Sequence, residues 1–368
     1  MAKVLLFGDL HLMPFKDNNP HLSRWEYQSQ KYSIDRILEV IKMEKPSKVY
    51  CLGDIIDTAF PQDYELELLD YFLSSIPKSV QLTLINGNHE LNRDTSSRNY
   101  YFSFMKEYYE SKYNIKVLDY EEQGEDLFVG HKHISKLENL EKDYRYVFSH
   151  IRSSDSNAFF TDEINMSQLK ASCNKVFLGD IHKNLEYDNV IYTGQASWVN
   201  FPSEATTESF KQVVPSVLIL DEKSGKHERV RLFEEDSPYQ KKYIELRESE
   251  FDNIEQIVEQ IKNDCEENKH FYKVRLYGTK FMIDRVKVMF SGMKSCCVLD
   301  VVNTSLKSEM VRDEAVEAII EGHLDRGSVS KNCLEFCKKN LTEARLEPLL
   351  CSIYATLEGN LEKGVEDE

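Results

Sequence analysis

The chain has no closely spaced CxxC cysteine pair, although eight cysteines are spread over its 368 residues. Such pairs are typical of structural zinc sites and of disulfide-rich secreted domains, so the cysteines are expected to be reduced and partly buried. No apolar run approaches the ~20 residues that a membrane-spanning helix needs. The N-terminal apolar run ends at Asp9. We therefore expect no membrane association and a protein retained in the cytoplasm.

Basic residues are in the minority, with 46 Lys and Arg against 63 Asp and Glu and a formal net charge of −17. Nonspecific affinity for nucleic acid comes mainly from Lys and Arg that neutralise phosphates, so this balance argues against a nucleic-acid partner. The charge is unevenly placed, however. Residues 271–294 hold six bases and one acid, whereas residues 245–267 hold nine acids and two bases. The charge distribution therefore allows one basic face on an acidic protein, to which nucleic acid could bind.

Short apolar runs alternate with helical patterns through residues 1–200. Helical spacing of apolar residues predicts helices over 27–44 and 64–73. A hairpin of 214–221 and 227–233 is expected to close this first unit. The alternation predicts an α/β layered sheet with its ligands at the carboxyl ends of the strands. The predicted strands before the hairpin are 4–9, 48–54, 80–88, 144–150, 174–180 and 189–194.

A smaller unit follows, with a predicted β-α-β-α-β order. Its strands are expected at 241–247, 271–278 and 295–302, and its helices at 252–266 and 282–290. The residues from about Ser305 onward have apolar faces at helical spacing. We therefore predict three domains, at residues 1–235, 238–304 and 305–368.

Polar side chains stand where the predicted strands of the first unit end. Alone, each could be a turn former, a helix cap or a buried structural histidine. As an ordered set of carboxylate, imidazole and amide groups they suit Mn²⁺, Fe²⁺ or Zn²⁺, and two such ions bridged by one carboxylate are the standard arrangement for attack on a phosphorus ester. Glycines before three of them are expected to let the backbone turn sharply. The set is Asp9, His11, Asp54, Asn88, His89, His150, Asp180 and His182.

The series DxH, GDxxD, GNHE, a strand-terminal His and GDxH resembles the calcineurin-like metallophosphoesterase superfamily over about the first 200 residues. Within it, the segments GDIIDTAFPQDYE and YTGQASWVNFPSE and the β-α-β-α-β unit are similar to SbcD-type DNA repair and recombination exonuclease subunits, including those of phages. The resemblance implies an α/β fold, a four-layer αββα sandwich with a small α+β capping domain and a C-terminal helical segment. It places the protein in a bacterial cytoplasm, or in the host cytoplasm if a phage encodes it.

The resemblance also implies roles for the ordered set. Asp54 would bridge two divalent ions, which we expect to be Mn²⁺, while His89 would contact the scissile phosphate and help the leaving group to depart. Asp57 would orient a metal ligand or cap a turn. One ion would be held by Asp9, His11, Asp54 and His182, and the other by Asp54, Asn88, His150 and Asp180.

Two features depart from the family pattern. The family commonly has GHxH where this chain has GDIH, so Asp180 replaces an imidazole with a carboxylate and adds negative charge. A competing GHKH stands at Gly130–His133. Chain order favours the later motif, and His131 and His133 are predicted to be surface residues of a loop.

These observations predict a Mn²⁺-dependent DNA nuclease with exonuclease and single-strand endonuclease activity. The resemblance implies a homodimer that acts with an SbcC-like SMC-type ATPase. Residues 332–357 would dock on that ATPase or simply pack on their own domain. Trp198, Lys273 and Arg275 are candidate DNA contacts, or else a packing residue and a solvated face. Two alternatives stay open: a phosphoesterase of small phosphodiesters or nucleotides, and a DNA-binding scaffold subunit with a weak metal site.

Overall fold

The structure is a computed structural model that describes residues 3–14, 20–91, 100–152, 166–202, 206–293 and 295–303. Residues Met1–Asn303 form one compact unit. The predicted C-terminal helices, including residues 332–357, lie outside the described residues. None of the helices in the described part of the chain combines the length and the apolar character that crossing a membrane requires.

Two six-stranded sheets make up the larger part of this unit. Most of their residues are buried, because each sheet is covered on both faces. The strands before residue 235 are β1 (Lys3–Phe7), β2 (Lys48–Leu52), β3 (Gln81–Ile85), β4 (Ile115–Leu118), β5 (Tyr120–Gln123), β6 (Asp126–Val129), β7 (Tyr144–His150), β8 (Cys173–Gly179), β9 (Glu186–Tyr187), β10 (Val190–Tyr192), β11 (Ser216–Asp221) and β12 (His227–Arg231).

The strand order is β12-β11-β1-β2-β3-β4 in the first sheet and β5-β6-β7-β8-β10-β9 in the second. Strands β1 to β4 are parallel, as are β6, β7, β8 and β10. The antiparallel strands lie at the edges. The polar set singled out in the sequence lies in the loops that follow β1, β2, β3 and β8 and, for His150, at the end of β7.

Three apolar cores separate four layers. Between the sheets, Leu6 and Leu52 pack with Phe148 and Phe177. Helices cover the outer face of the first sheet, where the rings of Phe7 and Phe72 lie 5.7 Å apart, and of the second. The predicted four-layer αββα sandwich is therefore confirmed. The helices are α1 (Pro20–Glu44), α2 (Asp63–Ser75), α3 (Tyr101–Phe104), α4 (Lys106–Lys112), α5 (Met166–Ala171) and α6 (Thr207–Val213).

The second part is the predicted β-α-β-α-β module, which we call the cap. It has β13 (Lys241–Arg247), α7 (Ile254–Asn268), β14 (Phe271–Gly278), α8 (Lys280–Met289) and β15 (Cys297–Asn303), with the three strands parallel in the order β13-β14-β15. It has an apolar core of its own. The Trp25 indole of α1 donates to the Lys269 carbonyl at 2.6 Å, and its ring lies 5.3 Å from that of Phe271. The cap therefore packs directly on α1, and the domain boundary at 235–238 stays a prediction.

The structure adds elements that the pattern did not predict. Helix α1 begins at Pro20 and not at residue 27, because Trp25 finds its apolar partner in the cap, more than 200 residues away. Strands β4, β5 and β6, of four residues each, were not predicted. The sequence of β5 is YEEQ, since it is an edge strand that pairs only with β6 and needs no apolar side chains.

Candidate metal centre

Four of the predicted ligands have left-handed backbone conformations. The φ angles are 53° at Asp9, 42° at His11, 50° at Asp54 and 85° at Asp180. Residues other than glycine seldom adopt this region, and its occurrences cluster at functional sites, where the surrounding structure enforces it. Here the strand-end loops hold each other: the His11 amide donates to the Asp54 carbonyl at 2.9 Å. Contacts between the loops of the site therefore enforce these left-handed backbone conformations.

The glycines before the ligands serve two different purposes. Gly53 has a φ of 87°, as the turn hypothesis predicts. Gly87 and Gly179 do not have a positive φ, so their backbone does not use the left-handed region. A methyl group at Gly87 would overlap the Asp54 carboxylate, and one at Gly179 would overlap the Leu52 carbonyl. These two positions require glycine because the loops approach each other closely.

One candidate ligand group consists of Asp9, His11 and His182, whose nearest donor atoms all lie within 4.8 Å of one another. The two Nε2 atoms are 3.0 Å apart, and the Nε2 of His182 is 3.5 Å from Asp9 Oδ1. Asp54 Oδ2 lies 3.5 Å from the Nε2 of His11. Three of the four residues predicted to share the first ion therefore converge on one position, and Asp54 borders it beside His11.

A second group consists of Asp9, Asp54 and His150, again within 4.8 Å. The Nε2 of His150 lies 3.2 Å from Asp54 Oδ2, 3.2 Å from Asn88 Oδ1 and 3.8 Å from Asp180 Oδ1. The Asp54 carboxylate thus stands between the two groups, where a bridging ligand is needed. Asp9 is close to both groups as well, a sharing that the sequence did not indicate.

Hydrogen bonds orient the histidines toward this centre. The Nδ1 of His150 donates to the Leu52 carbonyl at 2.7 Å, and the Nδ1 of His11 donates to Asp57 Oδ1 at 2.8 Å, so each ring turns its Nε2 toward the carboxylates. The side-chain amide of Asn200 contacts the Nδ1 of His182 at 2.7 Å. Such outer contacts fix ring orientation in metal sites. The orienting role predicted for Asp57 agrees with this geometry, whereas Asn200 was not predicted.

The electrostatics fit a pair of divalent cations. Burial disfavours the charged form of His11, but Asp57, Asp9 and Asp54 outweigh that effect and raise the pKa of His11 to about 10. Burial likewise opposes charge on His150, yet the Asp54 carboxylate raises its pKa well above the usual value. Without a cation, protons therefore balance these buried carboxylates. Carboxylate and imidazole donors are suited to Mn²⁺, Fe²⁺ or Zn²⁺, which would displace those protons on binding.

His89 lies at the edge of the centre, with 43% of its side chain exposed. Its backbone amide donates to Asp54 Oδ1 at 3.0 Å, and its Nδ1 lies 3.1 Å from Asp57 Oδ1. The Asp57 hydrogen bond raises the pKa of His89. His11, Asp57 and His89 also form a third group of possible ligands within 4.8 Å. The geometry thus allows His89 either to act on substrate or to ligate.

Glu90 supports the centre and was overlooked in the sequence, where it is the last residue of the GNHE motif. It is fully buried, and its carboxylate accepts the backbone N–H groups of Gly87 at 2.5 Å, Ile55 at 2.7 Å and Asp54 at 3.2 Å. Burial and the nearby Asp54 charge raise the pKa of Glu90 to about 7. One side chain therefore ties the loop after β2 to the loop after β3.

We expect Glu90→Gln to lower the free energy of unfolding by about 1–3 kcal/mol, because an amide NH₂ would face buried N–H donors. Chemical denaturation without added metal measures this. Glu44→Gln is a suitable control, since Glu44 pairs with Lys3 at the surface, where ion pairs contribute little. Equal stability of the two variants would contradict a supporting role for Glu90.

Two sequence predictions concern residues that lie apart from the centre. Trp198 is only 3% exposed and packs on Phe210 and Phe233, as the packing interpretation of this residue expects. His131 and His133 are half-buried at the start of a 3₁₀ helix, so their predicted placement in a surface loop is wrong. The Nδ1 of His131 contacts the Tyr100 hydroxyl at 2.8 Å. A tertiary contact thus orders this segment.

Comparisons with known proteins agree with this geometry. Residues 2–184 match the family model described as calcineurin-like phosphoesterase. The SbcD component of the SbcCD nuclease of Staphylococcus saprophyticus is 29% identical over 90 residues, which are 24% of this chain and 23% of the relative. The probable exonuclease subunit 1 of Escherichia phage T5 is 23% identical over 213 residues, 55% of this chain and 62% of the relative. The chain thus spans less than two thirds of either relative.

Among solved structures, the crystal structure of TT1561 of Thermus thermophilus is 10% identical and covers 63% of this chain and 99% of its own, with a TM-score of 0.37. The family match includes all the candidate ligands, from Asp9 to His182. Since the match, the four-layer sandwich and the converging carboxylates and imidazoles agree, the N-terminal half of this chain belongs to the calcineurin-like metallophosphoesterase family.

Proposed function

We propose that this chain is a DNA nuclease subunit that hydrolyses phosphodiesters with two divalent ions, Mn²⁺ in the first instance. It would act as an exonuclease and single-strand endonuclease in a recombination or repair complex of the SbcCD kind. The observation that carries the proposal is the position of the Asp54 carboxylate, 3.5 Å from His11 on one side and 3.2 Å from His150 on the other. A shared carboxylate between two ligand groups is what in-line phosphodiester hydrolysis requires.

In this proposal, some residues would hold the metal ions and others would position or protonate the substrate. Asp9, His11, Asp54 and His182 would hold one ion, and Asp54, Asn88, His150 and Asp180 the other. When bound, the pair of ions supplies a hydroxide near neutral pH and neutralises charge on the phosphate. Asp57 keeps His11 in place and raises the pKa of His89, which favours its protonated form. The exposed His89 can then donate a proton to the leaving oxygen.

A cavity beside the centre offers a path for the polynucleotide. Its volume is about 420 Å³, and it lies between the loop at 199–202 and the cap. Asn200, which contacts His182, lines it together with Phe201, Lys273 and Arg275. Basic groups and an aromatic ring along one groove are typical of single-strand binding. This cavity favours DNA over a compact substrate.

Both relatives are named as subunits, which supports assembly with a partner. We propose that this chain forms a homodimer and acts with an SbcC-like SMC-type ATPase. The segment predicted to dock on that ATPase, residues 332–357, lies outside the described residues.

A second candidate function is hydrolysis of small phosphodiesters or nucleotides, and one contact favours it. Asp300 lies 2.7 Å from the Nη2 of Arg275 and 3.7 Å from the Nζ of Lys273. This carboxylate cancels part of the positive charge on the cavity wall, which weakens attraction for a polyanion. The two candidates differ in whether the cap residues affect hydrolysis.

A Lys273→Ala/Arg275→Ala variant separates them. We expect its DNA cleavage in Mn²⁺ to fall at least about tenfold and the salt dependence of its DNA affinity to decrease by up to two phosphate contacts. Hydrolysis of a chromogenic phosphodiester should change little, because that substrate does not reach the cap. Fluorescence anisotropy with labelled single-stranded DNA and a cleavage assay provide the two measurements.

Lys287→Ala is the matched control, since Lys287 is a cap lysine on α8 that does not line the cavity. Unchanged DNA cleavage in the Lys273→Ala/Arg275→Ala variant would show that DNA does not bind along the cavity. Absence of DNA cleavage by the unaltered chain, with the chromogenic ester still hydrolysed, would favour the second candidate.

A further inference from the structure

Asp180, the carboxylate that stands in place of the usual imidazole, has a cationic partner. Arg152 follows β7 by two residues, and its Nε lies 2.8 Å from Asp180 Oδ2 while its Nη2 lies 3.3 Å from Oδ1. The Asp180 side chain is 7% exposed, and that of Arg152 is 37% exposed. The guanidinium therefore reaches both carboxylate oxygens from the outer side of the centre.

The inner side of the same carboxylate faces the second ligand group. Asp180 Oδ1 is 3.8 Å from the Nε2 of His150, and the Asp180 backbone amide donates to both Asp9 oxygens at 3.1 Å. That contact holds the Asp180 main chain beside Asp9. Its carboxylate is thus shared between an arginine and the position of the second ion.

Arg152 changes the charge balance of the ligand set. An aspartate in place of a histidine makes the formal charge of the ligand set more negative by one unit. The positive charge of Arg152 offsets that unit. A divalent cation held by Asp180 would share its ligand with a guanidinium, and the two positive charges would repel each other. The Asp180–Arg152 pair thus has the net charge of a neutral ligand. Its affinity for a divalent ion is lower than that of an aspartate alone.

We infer that Arg152 is a positioning residue that offsets the charge of Asp180 and lowers the affinity of the second metal position for a divalent ion. The two ions would then bind unequally, first at the position of Asp9, His11, Asp54 and His182 and then at the position of Asp54, Asn88, His150 and Asp180. The inference rests on the proposed two-ion function, but concerns a residue that the ligand motifs do not contain.

Isothermal titration calorimetry with Mn²⁺ on the full chain tests it without an activity assay. Arg152→Gln removes the charge and keeps a hydrogen-bonding group, so we expect the weaker ion to bind at least about tenfold more tightly. Arg152→Lys keeps the charge and should bind both ions as the unaltered chain does. Arg145→Gln is the matched control, because Arg145 holds Asp126 at 2.9 and 2.6 Å in the same fork geometry on β7, with neither residue in a ligand group.

A second variant keeps the test decisive should Arg152→Gln fold poorly. Asp180→His restores the imidazole but removes the carboxylate that faces the guanidinium, so we expect the second ion to bind at least about tenfold more weakly, and Arg152→Gln added to it should restore binding. An unchanged or weaker second ion in Arg152→Gln, or a tighter one in Asp180→His alone, would overturn the inference. Failure of the unaltered chain to bind two ions would instead overturn the proposed function itself.

Discussion

Replacing Asp54 with Asn is expected to lower phosphodiester hydrolysis by at least about a thousandfold, because cation stabilisation of a phosphoryl transition state is worth several kcal/mol and each 1.36 kcal/mol is tenfold in rate. The substitution preserves size and removes a carboxylate that lies 3.5 Å from His11 of the first ligand group and 3.2 Å from His150 of the second. We therefore expect bound Mn²⁺ to fall from two ions per chain to one or none.

Elemental analysis of the dialysed protein and hydrolysis of a chromogenic diester measure the two effects. Asp126→Asn serves as the control, because Asp126 is also a buried aspartate but pairs with Arg145 outside the centre. Two ions retained by Asp54→Asn, or equal losses in the two variants, would refute the bridging role of Asp54.

His89→Gln is expected to lower DNA cleavage by about a hundredfold or more, the contribution of a positioned general acid, while both ions stay bound. The alkoxide released from DNA needs a proton, whereas a nitrophenolate does not, so hydrolysis of a bis(nitrophenyl) ester should lose far less. The sign of the pH effect follows from the protonated imidazole. DNA cleavage should fall as the pH rises through the raised pKa of His89, and the variant should lack that fall.

Two measurements test this prediction: the cleavage rate over a range of pH, and the metal content of the variant. His131→Gln is the control, since His131 belongs to the competing GHKH motif and contacts Tyr100 away from the centre. Loss of an ion in His89→Gln would show that His89 ligates metal through the group that it forms with His11 and Asp57. An equal loss on both substrates would contradict the general-acid role.

Much of the fold could be predicted because its signals are local. Buried strands such as β1 and β2 are continuous apolar runs, and the alternation with helices specifies a parallel sheet. Strands β4 to β6 were not predicted, and β5, with the sequence YEEQ, has no apolar run that could have indicated a strand. The start of α1 was missed as well, since the burial of Trp25 depends on Phe271 in the cap.

By itself, the sequence determined the layered α/β architecture and the ligand set of the candidate centre. Parallel strands bring their carboxyl ends to one edge, so residues that follow Phe7, Leu52 and Ile85 must meet there. Only the tertiary structure decided what surrounds these ligands. Glu90 holds two loops through backbone amides that no side-chain motif encodes, and Trp198 is withdrawn into the core.

Arg152 faces Asp180 although 28 residues separate them. These contacts join residues distant in the chain, and their energies depend on burial and on distances of about 3 Å, which a linear pattern does not contain.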